Sequence, residues 1–185
     1  MGSLKNNILI SMPHMTDPYF GRSVVYLCEH SADGAMGLVI NKPLGDADLK
    51  EIFSPEASAE NDFLTAVPKV YFGGPVMLER GIVLHSADYQ IDGTMAISDQ
   101  LCITSSKEII RDIKNSRGPR RYRLMLGHAG WDKNQLEREI ENGDWLVQST
   151  GPDFIFDTLD RDKWNAAARS FGIETSQLTG LGGLA

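Results

Sequence analysis

Cysteine is scarce in this 185-residue chain. There are two, Cys28 and Cys102, far apart and in no C-x-x-C pair. That excludes a dense disulfide framework and a four-thiolate zinc site. Both sit in apolar, strand-like runs, where a free thiol behaves as a small hydrophobe. Long hydrophobic runs are also missing: none approaches the roughly 18 residues of a membrane span. Met1 to Asn7 holds no apolar segment of the kind that opens a secretory leader, so cytoplasm with reduced thiols is the expected setting. Positive charge is in short supply, with 18 Lys and Arg against 25 Asp and Glu and a net charge of −7. Non-specific binding to nucleic acid needs clustered cations and is disfavoured, although a local basic patch stays open. Absent too are H-E-x-x-H, the phosphate-binding G-x-x-x-x-G-K-S/T, G-x-G-x-x-G after a strand, and the G-x-S-x-G nucleophile elbow. No complete catalytic or metal-binding set is legible. No cofactor and no metal are expected.

What is present suits an ordinary globular domain, 42% apolar and 23% charged. The length allows one domain burying roughly 70% of its unfolded surface. Residues 7–173 are expected to form it. Residues 1–6 are expected to lie outside as a disordered or non-native start, and 174–185 as a Gly-rich tail. Strands are predicted over 7–12, 22–29, 35–40, 70–72, 81–85, 94–104, 122–126 and 145–148. The 24–28 and 35–40 runs are nearly continuous apolar, which argues burial on both faces, and Asp33-Gly34 between them predicts a hairpin. Helices are predicted near Leu49 to Phe53 with Asp46 or Asp48 as cap, from Ser105 with a Ser105–Glu108 capping box, over 135–142, and from an Asp160 cap to Gly172. Residues 54–68 read as a polar loop with a brief helical turn. Strict β-α alternation is lacking. The fold class is therefore α+β: a single domain with a large mixed, mainly antiparallel sheet flanked by a few helices.

Several groups carry possible chemistry. Cys28-Glu29-His30 would place Cys28 and His30 on one strand face, as nucleophile and base or as two metal ligands. The bland alternative is a buried thiol and a strand-end histidine bonded to backbone. His30, His85 and His128 each close an apolar run and could share a cleft at one sheet edge as ligands or general bases. Equally, they mark where three strands surface. Gly73-Gly74-Pro75-Val76 could offer backbone N–H groups to an anion, or be a tight turn. The one basic cluster is Arg117, Arg120, Arg121 and Arg123, with Arg121 and Arg123 on the face opposite Tyr122 and Leu124. It suits a few phosphates of RNA or DNA, or a solvated edge. Asp17, Asp99, Asp132 and Asp157 read as turn or cap residues.

The segment Gly127-His128-Ala129-Gly130-Trp131, followed by Gln135-Leu136-Glu137, Glu139-Ile140 and Trp145-Leu146, has a local logic: two glycines for a tight turn after a strand, Trp131 packed at the reversal, then a short helix. This segment resembles the signature of the bacterial YqgE/AlgH family. Met12-Pro13, Ser23-Val24-Val25, Cys28-Glu29-His30, Ile40-Asn41 with Pro43, Gly73-Gly74-Pro75-Val76, Phe156-Asp157 and Trp164-Asn165-Ala166-Ala167 extend the resemblance over most of the chain. Lys42 departs from it, standing where the family usually has Arg. The resemblance implies a cytoplasmic α+β domain without a settled activity. Some members carry the label of transcriptional regulator. No recognition helix is legible here, and Glu137, Glu139 and Glu141 would repel phosphate, so direct DNA reading is disfavoured. The leading expectation is a non-enzymatic regulatory or interaction protein, acting through a partner protein or a small ligand. Its cleft would be lined by His30, Asn41, Gly73, Gly74, His85, Gly127, His128, Gly130, Trp131 and Glu137.

Overall fold

The computed structural model describes residues 2–53 and 67–172. The strands are β1 (Asn7–Ser11), β2 (Val24–Ser31), β3 (Gly34–Val39), β4 (Val70–Phe72), β5 (Val76–Ser86), β6 (Met95–Ala96), β7 (Leu101–Thr104), β8 (Tyr122–Asp132) and β9 (Trp145–Ser149). The helices are α1 (Asp46–Ile52), α2 (Lys107–Lys114), α3 (Gln135–Glu141), α4 (Pro152–Asp157) and α5 (Asp160–Ser170). The strands join one sheet in the order β6-β7-β5-β8-β3-β2-β1-β9, antiparallel throughout, with β4 added in parallel to β8. The expected mixed, mainly antiparallel α+β sheet is what the chain forms.

Both faces of the sheet are covered, which is why its strands are apolar at successive positions. On one face Ile8, Ile10, Val24, Tyr26, Leu38 and Ile40 pack with Ile155 of α4 and with Trp164 and Ala167 of α5. On the other, the alternate residues Leu9, Val25, Leu27 and Val39 pack with Trp131, Trp145 and Leu136 of α3. Farther along that second face, Val70, Val83, Leu124 and Leu126 meet Ile109 of α2 and Phe53 beside α1. Each such aliphatic side chain contributes roughly 1.5–3 kcal/mol by leaving water.

β8 is the seam. Its first half pairs with β5 on one side and with β4 on the other, through Leu124 to Leu126. Its second half pairs with β3, through Ala129 to Asp132. Between the halves, β3 and β8 splay and β4 fills the gap. Leu44 N–H donates to the Val70 carbonyl and Phe72 N–H to that of Lys42, so the chain running out of β3 stays tied to β4.

Several local expectations are corrected. Gly127 to Trp131 is no turn: β8 runs straight through it, with Gly127 at φ +71 absorbing a kink where the β5 register shifts between Val76 and Gly81. The second glycine needed there is Gly74, at φ +154, against which His128 is packed so closely that a Cβ would lie 2.0 Å from its carbonyl carbon. The Gly73 N–H donates to Leu126 O and its carbonyl accepts from Val39 N, so Gly73 spends its backbone on the sheet. Cys28 and His30 do not share a face. The register slips between Leu27 and Glu29, a bulge that leaves Cys28 in the α5-side core and sends His30 to α3 on the opposite face.

The helix caps also move. Ser106, not Ser105, accepts from Glu108 N. Gly45 precedes α1, and Asp48 accepts its N–H. Leu159 occupies the cap of α5, freeing the Asp160 carboxylate for other partners. Helix α4 was not foreseen. At the start of the chain Leu4 N–H donates to His30 Nδ1 and Asn6 N–H to Leu27 O, so part of the segment expected outside the domain is hydrogen-bonded to it. The tail 174–185 and nearly all of the 54–68 loop lie outside the described residues.

Candidate functional site

The residues chosen from the sequence fall into separate places. His30 Nε2 lies 2.7 Å from Glu137 Oε1, while its Nδ1 accepts from Leu4 N, so the ring bridges β2, α3 and the start of the chain. The His30 hydrogen bond holds the Glu137 carboxyl below its ordinary value. Trp131 and Trp145 both donate their indole N–H to Glu139 Oε2, at 2.9 and 2.8 Å. His85 is fully buried. Its Nδ1 faces Ser86 O and its Nε2 faces Thr104 Oγ1, 2.8 Å away, and burial lowers its proton affinity. His128 is half-buried, also lowered by burial and by Arg80. His85 is paired across the ladder with Tyr122, six residues along β8 from His128, a separation of roughly 20 Å at strand rise. The three histidines therefore share no cleft, and a common catalytic centre built from them is not formed. Burial raises both thiols above their ordinary value, which keeps them protonated and inert. Among the described residues, no three His, Cys, Asp or Glu side chains gather as a metal site.

The arginine cluster is likewise dispersed. Arg121 is ion-paired to Asp153 and Asp157 of α4, at 2.8 and 3.4 Å. Arg117 faces Asp112. The backbone N–H of Arg120 donates to Asp88 Oδ2, and the residue itself is exposed. Asn41 holds β2 by accepting from Val24 N and donating to Arg22 O. Lys42 donates to the carbonyls of Tyr19 at 2.8 Å and Pro18 at 3.5 Å, contacts open to an amine.

Arg123 is the exception, and it marks a cleft. Where β3 and β8 splay, an opening of ≈ 490 Å³ is walled by Asn41 and Pro43, by Lys69 just before β4 and Tyr71 within it, by Arg123, and by the α4–α5 corner from Phe156 to Arg161. That volume lies within the roughly 300–1,000 Å³ usual for small-molecule sites. Arg123 Nη2 donates to Phe156 O at 2.9 Å, and its guanidinium lies 5.0 Å over the Tyr71 ring. Its Nε is buried and has no partner. Behind it, Asp160 binds Lys163 Nζ (3.1 Å), Tyr71 OH (3.0 Å) and Lys69 Nζ (3.3 Å). Burial alone would raise the Asp160 carboxyl, but these three donors hold it below its ordinary value. Lys163 is fully inside, with a second bond to Thr158 O, and burial lowers its amine. Burial also pushes Tyr71 up to about 12, so its hydroxyl keeps its proton. No histidine lines the cleft. Lys69, Tyr71, Asp160, Arg161 and Lys163 were not picked out from the sequence. The available signal was Lys163, three residues after Asp160 and next to Trp164 on the inward stripe of the last helix.

Fold and cleft together define a class: an α+β sheet covered on both faces, with an opening lined by Lys69, Arg123 and Arg161. The chain belongs to the AlgH-like family, whose profile matches residues 8–176. It is 44% identical over 183 residues to a UPF0301 protein of Paraburkholderia phymatum, covering 98% of this chain and 95% of that one. It is 39% identical to a UPF0301 protein of Pseudoalteromonas translucida, covering 97% of each. The solution structure of the AlgH protein from Pseudomonas aeruginosa matches with a TM-score of 0.76 and 36% identity, over 99% of this chain and 96% of that chain. A crystal structure from Corynebacterium diphtheriae shares the fold at a TM-score of 0.71 and 23% identity, over 92% and 87%.

Proposed function

We propose that this chain is a non-enzymatic regulatory protein of the cytoplasm that binds a small ligand in the cleft beside Arg123 and passes that state to a protein partner. One observation carries the reading: a formed opening at the sheet's splay lined by a half-buried guanidinium whose Nε has no acceptor among the described residues. Support for binding over turnover comes from the cleft's lining. Tyr71 keeps its proton, Lys163 is sealed behind Asp160, no histidine is among the described wall residues, and the two wall carboxylates, Asp157 and Asp160, are held by Arg121 and by Lys163, Lys69 and Tyr71. Any effect on transcription passes through the partner. Arg117 and Arg121 are turned to Asp112, Asp153 and Asp157, and Arg123 lines the cleft, so these three offer no joint surface for a phosphate backbone. No described helix is long and apolar enough to cross a membrane.

The test is a thermal-shift screen of cell metabolites on the full chain and on Leu159→Trp, which fills the rim at an exposed position. A ligand should raise the midpoint of the wild type and not of the variant. Hits that stabilise both chains equally place binding elsewhere and remove the reading. Affinity capture with and without the hit then checks the partner.

A further inference from the structure

Taking the cleft beside Arg123 as the ligand site, we infer that its ligand is a small organic phosphomonoester. The first reason is charge. Lys69, Arg123 and Arg161 line the opening, and Lys163 lies directly behind it. Two carboxylates face these four cations. Asp157 is already engaged by Arg121, and Asp160 is spent on Lys163, Lys69 and the Tyr71 hydroxyl. Among the described residues neither Arg123 nor Arg161 has a carboxylate partner. A chain carrying a net charge of −7 thus concentrates uncompensated positive charge at one opening. Such a concavity draws anions and strengthens their binding where water is partly excluded.

The second reason is geometry. Arg123 is fixed from two sides, by Phe156 O and by the Tyr71 ring, so its fork is oriented before any ligand arrives. Its Nε lacks an acceptor. Lys69 and Arg161 are exposed at the rim, Lys69 with one contact to Asp160 at 3.3 Å. Two uncompensated guanidiniums match a group carrying about −1.5 to −2 charges and three acceptor oxygens better than they match a carboxylate. The third reason is size. The opening far exceeds a bare phosphate ion, and Pro43, Phe156 and Leu159 give it apolar walls for an organic body. In this arrangement Arg123 is the anchor, while Lys69 and Arg161 close on the phosphoryl oxygens.

Calorimetry on the full chain tests this with ribose 5-phosphate and adenosine 5′-monophosphate, against ribose, adenosine, inorganic phosphate and succinate. At least one phosphomonoester should bind, with its neutral parent about 100-fold weaker or silent and its affinity falling as salt rises. Lys69→Gln and Arg161→Gln, both at exposed positions, should each weaken it about tenfold, with circular dichroism unchanged. Arg123→Met should abolish it. The proposal is overturned if succinate binds as tightly, if neutral parents bind equally, if inorganic phosphate alone accounts for binding, if the two glutamine variants bind as the wild type does, or if no phosphomonoester binds at millimolar concentration. Binding of succinate or of a neutral parent that Leu159→Trp blocks leaves the cleft as the ligand site while removing the phosphate assignment. Loss of every ligand response from the cleft removes both.

Discussion

Trp131 and Trp145 meet edge to face, ring centroids 6.0 Å apart, and both indole N–H groups end on the same oxygen of Glu139. One carboxylate from α3 thereby ties β8 to β9, which are not neighbours in the sheet. Glu139→Ala leaves two indole donors without an acceptor and should destabilise the chain by about 2–4 kcal/mol. Urea unfolding followed by tryptophan fluorescence measures it. Glu139→Gln should recover part of the loss, because its amide oxygen still accepts.

The His30–Glu137 pair predicts a pH dependence. The Glu137 carboxyl is held below its ordinary value of 4.5 by the His30 hydrogen bond, so between the two values the folded chain binds fewer protons than the unfolded one. The pair's contribution is complete above about pH 4.5 and is lost as pH falls through the folded value. Glu137→Gln should flatten this part of the acid limb in thermal melts at pH 3–6. An acid limb as steep as that of the wild type would contradict the assignment.

Gly74 and Gly130 should behave oppositely. A Cβ on Gly74 collides with the His128 backbone, whereas one on Gly130 meets nothing within 4 Å. Gly74→Ala is expected to cost about 3 kcal/mol or more, or to prevent folding, while Gly130→Ala changes stability by less than about 1 kcal/mol. Chemical denaturation of both variants decides it. Near-equal midpoints would mean that the crossing is looser than described.

Asp160 neutralises a fully buried amine. Asp160→Ala should cost about 3–5 kcal/mol near pH 7, because Lys163 keeps its burial and loses its carboxylate. The penalty should shrink at pH 9, where an amine already lowered by burial sheds its proton more readily. Urea melts at both pH values provide the comparison. The double variant Asp160→Asn with Lys163→Met should be more stable than Asp160→Ala alone.

Much of the sheet was legible because double-sided burial writes itself as unbroken apolar runs, as in Val24 to Cys28 and Ala35 to Ile40. Helix positions followed from stripes such as Ile109, Ile110 and Ile113. What stayed hidden had physical causes. Alternation assumes an unbroken ladder, and the bulge at Cys28 inverted the face of His30. The glycines of Gly127-His128-Ala129-Gly130 suggested reversal of the chain, whereas Gly127 relieves the close approach of Gly74 in the middle of a strand. Asn41 and Arg123, chosen for unrelated reasons, prove to wall one opening. The rest of that opening is gathered from β4 and the α4–α5 corner, and no sequence spacing records such a gathering.

The double duty of β8 sets the order in which the protein can be completed during synthesis. β1 to β3 form a local meander, and β5 to β7 pair among themselves, yet in the ladder of the described strands these two groups are joined only through residues 122–132. Until that segment leaves the ribosome, β3 and β5 each present an unpaired edge, and β1 waits longer still for β9. The nascent chain thus carries open strand edges until residues 122–132 are made, and closes the sheet only with β9.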